Sequence, residues 1–64
     1  MQLAELRRRK SMTQKELADS VGVSRALISM VEIGSVRPYP SLKKRIARAL
    51  GLKVNEIWGD SSGG

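Results

Sequence analysis

The fold is decided by residues 13–31, TQKELADSVGVSRALISMV, which predict two short amphipathic helices joined by a tight turn. Thr13 followed by Glu16 is a capping box, in which each side chain bonds an otherwise free backbone N–H of the first helical turn. Ser24 supplies a second N-cap just after Gly22, a residue that adopts positive φ at little steric cost. The two helices therefore have defined starts and meet at the glycine.

Each of these two helices carries an apolar stripe at three- and four-residue steps. The stripes are Leu17, Ala18 and Val21 in one helix, and Val23, Leu27, Ile28 and Val31 in the other. The opposite face of the second helix bears Arg25, Ala26, Ser29 and Met30. A short helix with one free face, held off the body at a steep angle, fits the major groove of DNA. The alternative is an ordinary helical hairpin in a small bundle.

The composition limits what can hold the chain together. It has 64 residues, with no cysteine and no histidine, so disulfides and nearly all structural zinc sites are excluded. A domain this small must then depend on packed helices. No apolar run is long enough for a membrane span, and no signal-peptide segment is visible. We expect a cytoplasmic protein with no metal, cofactor, membrane or small-molecule ligand.

The charge balance indicates a polyanionic partner. Twelve Lys and Arg residues against six Asp and Glu residues leave a net charge of +6. The excess is concentrated in residues 7–10 (RRRK) and in residues 43–48, where either block can also be a solvated helix face. A basic membrane-surface helix is less consistent with the sequence, because these segments lack a broad face of large apolar residues.

The pattern along the whole chain predicts five helices, over about residues 2–9, 14–21, 25–33, 40–50 and 54–58. Gly34 and Gly51 end the third and fourth helices, whereas Ser11 stands where a helix-ending glycine is expected after the first. Pro40 suits the first turn of the fourth helix. The residues predicted to face inward in the first and fourth helices are Leu3, Leu6, Leu42, Ile46, Ala49 and Leu50.

Five fragments together carry a family resemblance: TQKELA (13–18), GVSR (22–25), ISMVE (28–32), RPYPSL (37–42) and IARALGL (46–52). In this order and at these intervals, the chain resembles the XRE-type helix-turn-helix family, which includes the phage repressors and Cro proteins. The resemblance runs from about Leu3 to Trp58. It implies an all-α, compact five-helix lambda-repressor-like DNA-binding domain over residues 1–59, with a flexible tail over 60–64.

The resemblance also implies roles for individual residues. The outward residues of the third helix would contact bases, and these are Arg25, Ala26, Ser29 and Met30. The residues that would contact phosphates are Thr13, Gln14, Ser24, Arg37 and, through its backbone, Tyr39. A structural ion pair between Arg7 and Glu32 would tie the first helix to the end of the third. The chain departs from the family pattern on the outward face of the third helix, where many members carry Asn, Gln, Arg or Lys in place of Ala26, Ser29 and Met30. In addition, Ile33 replaces a frequent polar residue, and Lys53 replaces a Ser or Thr cap.

The leading hypothesis is a sequence-specific regulator of transcription, a repressor, that binds double-stranded DNA as a homodimer. We expect it to be encoded by a prokaryote or a phage and to be associated with the nucleoid in the cytoplasm. The alternative is a protein-interaction module on the same fold, such as an antitoxin or an antirepressor-like partner, because Ala26, Met30 and Ile33 are apolar. Val54, Ile57 and Trp58 can form a dimer surface, although for Trp58 itself a place in the core is favoured.

An enzyme is the least supported class of function. The chain offers neither His nor Cys for acid–base or nucleophilic chemistry. Ser41 and Lys44 do have the Ser-x-x-Lys spacing of some serine nucleophiles, but they lie in the first turn of a short helix without the partner motifs. We therefore predict a non-enzymatic protein.

Overall fold

The computed structural model describes residues 2–59, and these form five α-helices with no strand among them. The helices are α1 (Gln2–Arg9), α2 (Gln14–Val21), α3 (Arg25–Ile33), α4 (Pro40–Leu50) and α5 (Val54–Trp58). The predicted all-α architecture and its five helices are confirmed. In the described part of the chain, no helix has the length and apolar character needed to cross a membrane. The flexible tail predicted for residues 60–64 lies outside the described residues.

The turn between α2 and α3 is built from its own sequence. The capping box is present at the start of α2, where Thr13 Oγ1 accepts from the backbone N–H of Glu16 at 3.0 Å and Thr13 N–H donates to Glu16 Oε1 at 2.8 Å. Ser24 Oγ accepts from the N–H of Leu27 at 3.2 Å and begins α3. Gly22 ends α2 with a φ of 76°, in the left-handed region. Local chemistry thus sets both helix starts and the turn.

The end of α1 is strained at one residue. Ser11 has a φ of 56°, and among the described residues it is the only one other than glycine with positive φ. Its N–H bonds the carbonyl of Arg8 at 2.9 Å, which completes the last turn of α1. An L-residue pays a steric penalty in this conformation, so α1 ends here against the preference of its own side chain.

The core draws residues from all five helices. Its fully or nearly fully buried apolar side chains are Leu3, Leu17, Ala18, Val21, Ile28, Val31, Leu42, Ile46, Ala47, Leu50 and Ile57. Helix α2 packs against both α3 and α4, and α5 packs against α1 and α4. Because α4 touches both α2 and α5, its buried face is wide, and Ala47 is buried at 3% exposure. Leu6 and Ala49, predicted to face inward, pack at the edge of the core and are only partly buried.

Helix α5 closes the core without a Ser or Thr cap. The N–H of Lys53 donates to Glu56 Oε1 at 2.8 Å, which supplies one half of a capping box. Ile57 is buried, whereas Val54 and Trp58 are partly buried against the core. The Nε1 atom of Trp58 is buried and has no hydrogen-bond partner within residues 2–59.

Candidate nucleic-acid interface

Helix α3 presents one face outward and buries the other. Ile28 and Val31 are fully buried, and Glu32 is 8% exposed. On the outer side Arg25 and Ala26 are exposed, Met30 is 39% exposed and Ser29 is partly buried. The four residues predicted to contact bases therefore share a single accessible face of a helix whose other face is packed.

A buried polar network holds both ends of the helix-turn-helix unit to α1. Arg7 donates from Nε to Glu32 Oε2 at 2.7 Å and from Nη2 to Oε1 at 3.3 Å. Gln14 Nε2 donates to the same Oε1 at 2.9 Å, and Arg7 Nη1 donates to the carbonyl of Met12 at 2.7 Å. The network connects α1, the start of α2 and the end of α3. It fixes the position of α3 because each of its groups is bonded in low-dielectric surroundings.

The carboxyl of Glu32 is stabilised in its charged form. Burial raises the pKa of Glu32, but hydrogen bonds from Arg7 and Gln14, together with the positive charges of Arg7 and Arg8, outweigh that effect. The pKa of Glu32 consequently lies below its ordinary value of 4.5. The ion pair is therefore intact at neutral pH.

The start of α2 is a positively polarised end with free donors. The capping box occupies the N–H groups of Thr13 and Glu16. In the described part of the chain, the N–H groups of Gln14 and Lys15 make no hydrogen bond to protein. Free N–H groups at a helix N-terminus, together with the helix dipole, favour an anion.

An open cleft beside this helix start brings several predicted residues together. Its lining includes Thr13, Gln14 and Arg25, and also Arg8 and Lys15, which the sequence analysis did not assign to the site. The basic block at residues 7–10 was the signal that marked Arg8. The sequence contains no such signal for Lys15, because its i, i+4 spacing from Asp19 is typical of an ordinary helical ion pair. The two residues do form that pair, at 3.0 Å.

Three of the predicted phosphate contacts already have partners within the protein. Gln14 donates one amide hydrogen to Glu32 and keeps the second, as well as its carbonyl oxygen. The hydroxyls of Thr13 and Ser24 accept the cap hydrogen bonds but can still donate their own proton. Each of these side chains thus has a donor left for an anion.

The remaining predicted contacts lie at the other end of α3. Arg37 and Tyr39 are exposed in the loop between α3 and α4, and Tyr39 is 50% exposed. Arg25 stands at the opposite end of α3, which is a nine-residue helix and rises about 12 Å from Arg25 to Ile33. The predicted phosphate contacts therefore form two groups, one at each end of the exposed face.

The outward face of α3, the capped turn before it and the five-helix core together define a helix-turn-helix domain. The chain belongs to the helix-turn-helix family, which it matches over residues 3–57. This match confirms the resemblance drawn from the sequence.

Several relatives are named as uncharacterised helix-turn-helix-type transcriptional regulators. One from Archaeoglobus fulgidus is 39% identical over 56 residues, which cover 88% of this chain and 79% of the relative. One from Methanothermobacter thermautotrophicus is 47% identical over 49 residues, covering 77% and 71%. One from Bacillus subtilis is 32% identical over 54 residues, covering 84% and 82%. No solved structure matches the chain significantly.

Proposed function

We propose that this chain is a sequence-specific, double-stranded DNA-binding regulator of transcription that recognises the major groove with α3. The observation that carries the proposal is the exposed face of α3, with Arg25, Ala26, Ser29 and Met30 opposite a fully packed face. The family match and the names of the archaeal and Bacillus relatives support regulation of transcription. The net charge of +6 supports a polyanionic partner.

The four residues would divide the recognition of bases according to their chemistry. Arg25 can donate two hydrogen bonds to O6 and N7 of a guanine, the strongest single contribution to discrimination. Ala26 and Met30 would contact thymine methyl groups, and Ser29 would make a less selective hydrogen bond. We expect the preferred half-site to contain one strongly specified G·C pair beside more weakly specified positions.

Phosphate contacts at both ends of α3 would set its register on the duplex. At one end are the free N–H groups of Gln14 and Lys15 with the hydroxyls of Thr13 and Ser24. At the other end are the side chain of Arg37 and the backbone of Tyr39. Contacts to phosphate position a protein without carrying sequence information, and they account for the salt dependence of binding.

We further propose that the protein acts as a homodimeric repressor on chromosomal or phage DNA in a prokaryotic cytoplasm. A single domain spans only one half-site, and a two-fold dimer would place two half-sites about 34 Å apart, one helical turn. Repression needs no surface beyond the one that binds DNA, because an occupied groove blocks other proteins.

The test is selection of bound sequences from a random duplex pool, followed by a salt titration on the selected site. We expect an inverted repeat with half-sites one turn apart, and an affinity whose logarithm falls with log salt by about 0.9 per phosphate neutralised. Enrichment of no sequence would contradict sequence-specific binding. Enrichment of single, unrepeated half-sites would contradict the proposed dimer but not sequence-specific binding.

A protein-interaction module is the second candidate. The observation that favours it is Ile33, which is 74% exposed at the end of α3 beside the apolar Met30. An apolar surface of this kind can bind a partner protein. A weak, salt-independent and sequence-indifferent affinity for DNA would favour this candidate over the regulator.

A further inference from the structure

Five of the twelve basic residues of the chain lie on one stretch that the proposed DNA contacts do not use. Residues 40–53 contain five basic residues and no acidic one, against a net charge of +6 for the entire chain. Lys43 lies over the ring of Trp58, with its Nζ 5.8 Å from the centroid. The other four, Lys44, Arg45, Arg48 and Lys53, are exposed and form what we call the α4 basic surface.

The α4 basic surface is continuous. Lys44, Arg48 and Lys53 line one open depression, and Arg45 and Arg48 line a second, next to the end of α2. Arg48 belongs to both, so the four cations adjoin one another. Arg45 is held in place because its Nη1 donates to the carbonyl of Val21 at 3.3 Å.

The carboxylate of Asp19 lies beside the α4 basic surface, in the depression that Arg45 and Arg48 line. None of the four cations of this surface forms an ion pair within residues 2–59. Asp19 binds Lys15 at 3.0 Å instead, and Glu56 caps α5. Lys44 and Arg48 stand at i, i+4 on one helix, where like charges repel and weaken the helix. A purely structural face would gain from a carboxylate at these positions.

The α4 basic surface and the exposed face of α3 lie on different helices, each packed against α2. Helix α2 packs against both α3 and α4 and therefore lies between them. The start of α2, which favours an anion, lies beside Arg25. The other end of α2 lies beside Arg45, which donates to the carbonyl of Val21. A duplex bound to α3 would have to bend past α2 to reach α4 as well, in a body whose shorter extents are 21 and 19 Å. DNA resists such bending, because its persistence length is about 500 Å.

We propose that the α4 basic surface binds the phosphate backbone of a second DNA duplex, so that the protein holds two duplex segments together. The proposal rests on the proposed function, which supplies the first duplex. The occupant is inferred from charge complementarity, since four exposed cations that form no ion pair within residues 2–59 match a phosphate backbone. Contacts of this kind carry no sequence preference.

The experiment is a capture assay with the full chain. A duplex carrying the selected site is attached to beads, the protein is added, and a labelled duplex of unrelated sequence is offered as the second segment. The test variant is Lys44→Gln/Arg48→Gln, and the control is Arg9→Gln/Lys10→Gln, which removes the same charge from the end of α1. Lys44→Gln/Lys53→Gln is a second test variant with a different pair of substitutions.

We expect the parent protein and the control to capture the second duplex, and both test variants to capture it much more weakly while they still bind the first duplex. The salt slope of second-duplex binding should fall by about 1.8 in each test variant, 0.9 for each phosphate contact removed. Circular dichroism should show unchanged helix content, because the substituted side chains are exposed.

Three results would overturn the proposal: no capture by the parent protein, undiminished capture by the test variants, or an equal loss in the control. A dimer that bridges two duplexes through its two α3 helices would give the second of these results. If the parent protein binds the first duplex but captures no second duplex, only this proposal is contradicted. Failure to bind any duplex would contradict the proposed function as well.

Discussion

Gln14 Nε2 lies 2.9 Å from Glu32 Oε1, and this hydrogen bond joins the first residue of α2 to the last turn of α3. Gln14 also carries one of the two backbone N–H groups at the start of α2 that have no hydrogen-bond partner within residues 2–59. One residue therefore connects the anion-favouring helix end with the buried ion pair that fixes α3. Its substitution should affect where the domain sits on DNA more than which bases it selects.

For Gln14→Ala we expect affinity to fall by a similar factor on the selected site and on unrelated DNA, because phosphate contacts carry no sequence information. Binding titrations on both duplexes measure this, with Ser20→Ala at the other end of α2 as a control. Loss of discrimination between the two duplexes would mean that Gln14 contacts a base.

For Arg25→Ala we expect a loss of about 1–3 kcal/mol on the selected site and relaxed preference at one base pair. The reason is that Arg25 is the only residue on the exposed face of α3 able to form the bidentate bond to guanine. Binding to a panel of single-base variants measures it, and Arg9→Ala, which breaks an exposed ion pair, is the control. Equal losses on selected and random DNA would show that Arg25 contacts phosphate alone.

The buried ion pair should show strong coupling between its two residues. We expect Arg7→Met and Glu32→Leu each to lower the free energy of unfolding by about 3–5 kcal/mol, because each leaves a buried charge without its partner. The double variant should lose much less than the sum, since no buried charge then remains unpaired. Urea unfolding of the four proteins gives the coupling energy, and Glu32→Gln serves if Glu32→Leu does not fold. Additive losses would contradict the coupling.

Acid should destabilise the domain through Glu32. Its folded-state pKa lies below the ordinary value of 4.5, so its contribution to stability is complete above that pH and is lost as the pH falls through the folded-state pKa. In Glu32→Gln, the decline in unfolding free energy between neutral and acid pH should become shallower. Glu5→Gln, which removes an exposed partner of Arg9, should keep the parent's decline. An unchanged decline in Glu32→Gln would assign acid sensitivity to other carboxyls.

Ser11→Gly should stabilise the protein. At a φ of 56°, glycine lacks the steric penalty that serine has. Glycine also raises the entropy of the unfolded chain, but this cost is smaller, so the free energy of unfolding should rise by about 0.5–1 kcal/mol. Thermal unfolding measures the change, with Ser11→Ala as the control that retains a β-carbon. Gly22→Ala, at a φ of 76°, should shift stability in the opposite direction. A destabilised Ser11→Gly variant would mean that the serine side chain contributes an interaction of its own.

The sequence by itself determined the helices and their ends. Capping residues such as Thr13 and Ser24, and the glycines after α2, α3 and α4, act through hydrogen bonds and dihedral angles within a few residues. These interactions are local, so the sequence pattern predicts them directly. The outward face of α3 follows in the same way, because the helical period separates it from Ile28 and Val31.

Only the tertiary structure decided which helices pack against one another and which distant residues come into contact. Ala47 is buried because α4 packs between α2 and α5, and the helical period of α4 alone favoured Ala49. Arg45 binds the carbonyl of Val21, 24 residues away in the chain, and Gln14 binds Glu32 across 18 residues. Such contacts depend on how the helices pack in three dimensions, and periodicity within one helix carries no information about its neighbours.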